Sequence, residues 1–298
     1  MPRALRAREE FSLRELDGYY VTISALSEAR PSSEGSVERP APFRGVAQRH
    51  TPPGCAMNET FSNVYEDADR ARAYAELEFP GTYYLAFRDL PVLLRKHVRG
   101  RRALDFGCGT GRSTRFLKGL AFEVIGVDVS QVMLDQARAR DPHGDYRLVV
   151  EGTLAEFGSG ALDLILAAFT FDNVPTDQKT SALQELRGLL APAGRLVVVV
   201  SSSDIYWHEW ASFSTRDYPA NRSARDGDAV RIVMLDVPDR RPVVDILCSD
   251  ARYRELFEAV GLRVVDAIRP LATGAEATQW VSETTVPPWT LYVLAGGE

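Results

Sequence analysis

The residues best suited to hold a ligand form a glycine-rich turn. The string reads Ala103-Leu104-Asp105-Phe106-Gly107-Cys108-Gly109-Thr110-Gly111. Glycines in such a turn let backbone amides approach a ligand that a Cβ would keep away. The spacing is G-x-G-x-G, whereas a dinucleotide-binding turn needs G-x-G-x-x-G, and Arg112 stands where that third glycine would be. Asp105, two residues before the first glycine, would repel a pyrophosphate and attract a cationic amino group.

A second carboxylate follows the turn at a spacing typical of ribose recognition. Asp128 lies about 20 residues after Gly107, at the end of the apolar run 124–127. A carboxylate at this position can accept hydrogen bonds from both hydroxyls of a ribose. The turn and Asp128 together predict a site for a nucleoside.

The string resembles motif I of the Rossmann-like S-adenosylmethionine-dependent methyltransferases. The resemblance extends over residues 60–298 as an order of elements and is specific in residues 103–135. It implies that S-adenosylmethionine is the cofactor and that Asp105 holds its methionine ammonium through water. The cofactor-binding residues implied are Asp105, Phe106, Gly107, Cys108, Gly109, Asp128, Val129, Met133, Thr153, Leu154, Ala168 and Phe169. One departure is Thr153, which stands where the family usually has an Asp that accepts from the adenine amino group.

The acceptor side is predicted at the carboxyl ends of the fourth and fifth strands, where ligands bind in open α/β sheets. Asp172 could orient or deprotonate an acceptor, and Asn173 could hold an amine or a carbonyl. A helix-capping turn before Thr176 is an equally simple interpretation of this pair.

Aromatic residues indicate the walls of the acceptor pocket. Tyr206, Trp207 and His208 follow the fifth strand, and His208 is the best general-base candidate because its ordinary pKa is near neutral. Tyr84, in the N-terminal helices, is predicted to face them as part of a lid. The alternative for all of these aromatic residues is packing of helices and hairpin onto the core.

Alternating strands and helices must position these residues. The predicted strands are 102–106, 122–127, 146–150, 162–169, 195–200, 262–268 and 289–294. This pattern predicts an α/β, Rossmann-like, doubly wound and mainly parallel seven-stranded sheet with helices on both faces. Helices at 67–78 and 82–98 form an N-terminal cap, and strands at 230–235 and 243–248 form a hairpin in an acceptor-pocket insertion at 204–249.

Composition limits the classes of partner. The 298 residues carry a net charge of −6, so no basic field is available for nucleic acid. The chain has no apolar run of about 20 residues and no secretory signal, which predicts a cytoplasmic protein without a membrane partner. The three cysteines form no C-x-x-C pair and the four histidines are scattered, so no metal site is expected.

The first 56 residues differ in composition from the rest. They are rich in proline and contain the linker-like stretch 30–36, which predicts a disordered extension before a methyltransferase domain at 57–298. The extension is interpreted as upstream sequence before a true start at Met57, or alternatively as a lid-like arm. The oligomeric state stays open.

These residues and the family resemblance predict transfer of a methyl group from S-adenosylmethionine to nitrogen, oxygen or carbon of a small molecule of specialised metabolism. One alternative is a non-catalytic module that binds S-adenosylmethionine or S-adenosylhomocysteine. The other is a nicotinamide-dependent oxidoreductase, which the G-x-G-x-G spacing disfavours.

Overall fold

The computed structural model of the chain describes residues 67–75, 77–150 and 153–297. The predicted extension at 1–56 lies outside the described residues, and its disorder stays a prediction.

A seven-stranded sheet forms the centre of the described chain. Its strands are β1 (Arg102–Phe106), β2 (Glu123–Asp128), β3 (Asp145–Leu148), β4 (Leu162–Ala168), β5 (Leu190–Ser201), β9 (Leu262–Ile268) and β10 (Trp289–Gly296). Their order is β3-β2-β1-β4-β5-β10-β9. Because β10 alone runs antiparallel to its neighbours, the predicted mainly parallel sheet is confirmed.

The central strands are buried on both faces. Side chains of a strand point alternately to opposite faces, yet four consecutive residues of β4 (164–167) and four of β5 (196–199) are fully buried. Continuous apolar runs of this kind are typical of sheets covered by helices on both sides.

Within the described residues, six helices flank the sheet. They are α1 (Ala68–Ala75), α2 (Gly81–His97), α3 (Arg112–Gly119), α4 (Gln131–Arg140), α5 (Thr176–Leu189) and α6 (Asp250–Ala259). Short 3₁₀ turns lie at Thr153–Phe157, Ser203–Tyr206 and Pro219–Ser223. Serine side chains cap α4 and α6, since Ser130 accepts from the amide of Met133 and Ser249 from that of Arg252. None of the described helices has the length and apolarity needed to cross a membrane.

A small antiparallel sheet is inserted after β5. It consists of β6 (Phe213–Ser214), β7 (Ala229–Met234) and β8 (Val243–Ile246), in the order β6-β7-β8. The pairing of Ala229 with Ile246 confirms the predicted hairpin, to which β6 adds a short third strand.

Two buried side chains join the N-terminal helices to this inserted part. Arg70 of α1 donates from Nε to Asp239 in the β7–β8 loop at 3.1 Å. Glu283, fully buried, accepts from Thr82 Oγ1 of α2 at 2.6 Å and from the amide of Ala211 at 2.7 Å. The helical cap and the inserted sheet are therefore held as one wall beside the main sheet.

Candidate functional site

The turn after β1 adopts a conformation that depends on its glycines. Gly107 and Gly109 have φ of 72° and 53°, in the left-handed region. A Cβ on Gly107 would lie 2.5 Å from Oγ1 of Thr170. The amides of Gly107 and Cys108 donate to the carbonyl of Val127 at 2.8 and 2.9 Å, which ties the turn to the end of β2.

Asp105 is fully buried next to this turn. Its Oδ2 accepts from Ser113 Oγ at 2.7 Å and from Thr114 Oγ1 at 2.6 Å. Its Oδ1 has no hydrogen-bond partner among the described residues. Burial raises the pKa of Asp105 to about 6, although the two hydroxyl donors oppose the rise. Such a carboxylate has one acceptor atom to offer to a water molecule or a cation.

Asp128 ends β2 beside the glycine turn. Its Oδ2 accepts from the amide of Gly109 and its Oδ1 from the amide of Ser130, both at 2.8 Å. Burial raises the pKa of Asp128, and the amide donors lower it. The carboxylate is thus oriented by the backbone, and each oxygen retains a lone pair for a further donor.

One cavity of about 640 Å³ extends from the glycine turn to the inserted sheet. The predicted cofactor residues that line it are Phe106, Gly107, Cys108, Gly109, Asp128, Val129, Met133, Leu154, Ala168 and Phe169. The predicted acceptor residues Asp172 and Asn173 line it as well. Both predicted sites therefore share one cavity, while the ligand contacts of these residues stay predictions.

Four aromatic rings line the part of this cavity next to the inserted sheet, which we call the acceptor end because the acceptor is predicted to bind there. Tyr83, Phe169, Phe213 and Trp289 all belong to its lining. Phe169 lies 5.4 Å from Tyr83 and 4.8 Å from Trp289 between ring centroids, and Phe213 lies 5.7 Å from Trp289. Phe169 has φ of 61°, a conformation that costs a residue with a Cβ about 1–3 kcal/mol. The fold thus holds the backbone of Phe169 in a strained conformation directly after β4, where the residue lines the cavity.

Asp172 is buried at the same end, with 8% of its surface exposed. It accepts from the amide and from the hydroxyl of Ser201, both at 3.0 Å. Burial and the negative charge of Asp245 raise the pKa of Asp172 to about 8. The carboxylate is held by β5, so the structure does not use it as the helix cap that the sequence also allowed.

Four predicted acceptor-site residues are not part of the cavity lining. Trp207 and His208 lie in a separate shallow depression with Arg222, so the position of His208 does not support the predicted role of general base. Tyr206 contacts the lining only from outside it, since its hydroxyl donates to Asp245 at 3.0 Å. Tyr84 lies on α2 outside the lining.

Asp105 and Thr153 are the two remaining predicted cofactor residues. Asp105 is not in the lining, but its partner Ser113 is, so Asp105 would act on a ligand from behind Ser113 or through water. Thr153 begins a 3₁₀ turn whose next residue, Leu154, lines the cavity.

Several residues of the cavity lining are not predicted from the sequence. For Asp245 the sequence does contain a signal, because it is a lone acid at an inward position of the apolar strand β8. Arg112, where a third glycine was sought, packs its guanidinium 4.6 Å from the ring centroid of Tyr83 and donates to the carbonyl of Glu78 at 2.7 Å. Among the described residues, no cluster of three His, Cys, Asp or Glu side chains is arranged to hold a metal ion.

Comparison with known proteins gives concordant results. A family model described as a methyltransferase domain matches residues 104–198. The chain is 26% identical to N-demethylindolmycin N-methyltransferase of Streptomyces griseus, over 68% of this chain and 86% of that protein. It is 29% identical to trans-aconitate 2-methyltransferase of Paracidovorax citrulli, over 67% of this chain and 72% of that protein.

Two further matches bear on acceptor and fold. The mouse eEF1A lysine and N-terminal methyltransferase is 26% identical over 46% of this chain, which spans only 20% of that protein. The solved structure of the CcbJ methyltransferase from Streptomyces caelestis matches with a TM-score of 0.51 at 20% identity, over 76% of this chain and 96% of that one. The relatives, by their names, act on acceptors of different kinds.

Proposed function

We propose that the acceptor of this chain, which is a Rossmann-like, class I S-adenosylmethionine-dependent methyltransferase, is a small molecule of specialised metabolism. The observation that supports this acceptor class is the cavity of about 640 Å³, which runs from the glycine turn to the aromatic end. Cavities of about 300–1,000 Å³ are typical of small-molecule sites. The inserted sheet and the N-terminal helices surround the aromatic end on several sides. This enclosure favours a metabolite over a protein segment as the acceptor.

The residues around the glycine turn fit S-adenosylmethionine. The left-handed glycines leave a cradle that a Cβ on Gly109 would begin to fill, 3.1 Å from Cε of Met133. Asp128 offers acceptor atoms for a ribose, and Oδ1 of Asp105 is an orphaned buried acceptor suited to the ammonium end. Oγ1 of Thr110, also buried and without a partner among the described residues, lies in the same lining.

When bound, the cofactor supplies a methyl group that is already activated by a sulfonium. The protein's own contribution is then to align the acceptor and to exclude water. Phe169 and Trp289 provide apolar surface at the carboxyl end of β4, and Asp172 and Asn173 provide polar groups beside them. These residues can orient an acceptor, and Asp172 can take up a proton that the acceptor releases.

The test uses the whole protein, trideuteromethyl S-adenosylmethionine and a metabolite-rich cell extract split by ultrafiltration. We expect labelled product in the low-molecular-weight fraction and none in the protein fraction. Calorimetric titration with S-adenosylhomocysteine and with NADH provides the control, and we expect binding of the first alone. Label confined to the protein fraction would refute the small-molecule proposal.

A further inference from the structure

The acceptor end of the cavity buries more negative charge than positive charge. Asp172 and Asp245 line the cavity with 8% and 6% of their surfaces exposed, and Lys179 of α5 is fully buried near them. The charges of both carboxylates act on Lys179, and Asp172 and Asp245 are close enough for their charges to interact. When both carboxyl groups are ionised, two carboxylates and one ammonium leave one negative charge without a partner. Burial of an uncompensated charge is costly, so the arrangement favours a ligand or a proton that neutralises it.

Lys179 does not form an ion pair with Asp172 or Asp245. Its Nζ donates to the carbonyl of Ile246 at 3.4 Å and lies 5.6 Å from the ring centroid of Tyr253. Within the described part of the chain, Lys179 forms no ion pair with a carboxylate. Asp245 uses Oδ2 to accept from Tyr206, whereas its Oδ1 makes no hydrogen bond to any described residue. Asp245 therefore has one carboxylate oxygen that accepts no hydrogen bond from the described residues.

The rest of the lining favours a cation as well. Among its described residues, Arg112 is the one cationic side chain, and it already packs on Tyr83 and donates to Glu78. Two more acids, Asp177 and Glu185 of α5, belong to the same lining. The four aromatic rings supply faces over which a cation is stabilised. A carboxylate ligand would meet acidic groups here with little to balance its charge.

We propose that the methyl acceptor is an amine that enters as a cation, and that Asp172 and Asp245 receive its ammonium group beside the aromatic rings. This inference rests on the proposed function. Before transfer, a proton passes from the ammonium nitrogen to a carboxylate oxygen of Asp172, and the electrons of the broken N–H bond stay on nitrogen as its lone pair. In the free protein, burial and the charge of Asp245 raise the pKa of Asp172 to about 8, so this carboxyl holds a proton near neutrality. The incoming ammonium displaces that proton to solvent, and the resulting carboxylate is then the base that accepts the proton from nitrogen.

Binding tests the recognition without turnover. 2-Phenylethylamine and 2-phenylethanol share a ring and differ in charge, and each is titrated calorimetrically into protein saturated with S-adenosylhomocysteine. We expect the amine to bind at least about tenfold more tightly, and Asp245→Asn to abolish that preference. Asp236→Asn makes the same chemical change at an exposed position of the β7–β8 loop and should keep the preference. Unaltered affinity for S-adenosylhomocysteine and an unaltered melting temperature show that Asp245→Asn folds.

Several outcomes overturn the inference. They are equal binding of the two probes, no detectable binding of the amine, or a preference that survives Asp245→Asn. The extract experiment gives an independent readout, since mass spectrometry of the trideuterated product identifies the methylated atom. Nitrogen of an amine supports the inference, and oxygen or carbon overturns it. Because the proposed function fails only if no small-molecule product forms, the two failures are distinguishable.

Discussion

Replacement of Gly107 by Ala tests whether the glycine turn needs both its conformation and its space. The residue has φ of 72°, and an added Cβ would lie 2.5 Å from Oγ1 and 2.9 Å from Cβ of Thr170. Rotation of the Thr170 side chain cannot relieve the second contact. The hydroxyl of Thr170 donates to the carbonyl of Phe106 at 2.8 Å, so any movement also threatens this bond.

The expected loss has two parts. A left-handed conformation costs alanine about 1–2 kcal/mol. Loss of the Thr170 hydrogen bond adds about 0.5–1.5 kcal/mol. Gly107→Ala should therefore lower the free energy of unfolding by about 1.5–3.5 kcal/mol.

A matched control separates the two parts. Gly158 has φ of 75°, but a Cβ there would meet nothing closer than 4.0 Å, so Gly158→Ala should show the conformational part alone. Urea unfolding of both variants measures the difference, which we expect to be about 1 kcal/mol. Thr170→Ala, combined with Gly107→Ala, should recover part of the loss as a coupling energy. If Gly107→Ala is no more destabilising than Gly158→Ala, the steric reasoning is refuted.

Three further predictions follow from single side chains. Asp128→Asn should weaken S-adenosylhomocysteine binding by about 1.5–3 kcal/mol in calorimetry, because charge-assisted hydrogen bonds are lost. Asp145→Asn on β3 is the control and should leave the affinity unchanged. Equal affinities of the two variants would contradict the ribose assignment. Asp172 has a pKa of about 8 in the folded chain and about 4 when unfolded, so the folded state binds more protons between these values and stability falls as pH rises. Asp172→Asn should therefore gain stability relative to the parent between pH 5 and pH 8 in urea unfolding, and a constant difference would contradict the shift. Glu283→Ala leaves Thr82 Oγ1 and two amides without their acceptor, so it should lower the free energy of unfolding by about 2–4 kcal/mol. A loss below about 0.5 kcal/mol would show that Glu283 does not hold the N-terminal helices to the inserted part.

The strands and the cofactor end were readable from the sequence because their signals are local. The strands Arg102–Phe106 and Leu262–Ile268 have the predicted bounds. Apolar runs, glycine spacing and the acid at the end of β2 each depend on residues close together in the chain. Ten predicted cofactor residues line one cavity for this reason, since parallel strands bring their carboxyl ends to one edge.

The acceptor end depended on contacts between distant segments. His208 and Asp245 lie in the same insertion, but the chain turns His208 into a separate depression and places Asp245 beside Asp172. The partners Asp172 and Ser201, or Tyr206 and Asp245, meet only after β4, β5 and β8 have come together.

The sequence by itself determined the α/β order, the glycine turn and the cofactor class, because backbone conformation and strand ends follow from neighbouring residues. Only the tertiary structure decided which acids share the acceptor end and which aromatic rings face it. Burial, the distance between charges and the resulting pKa of Asp172 are properties of the packed chain, and no local pattern contains them.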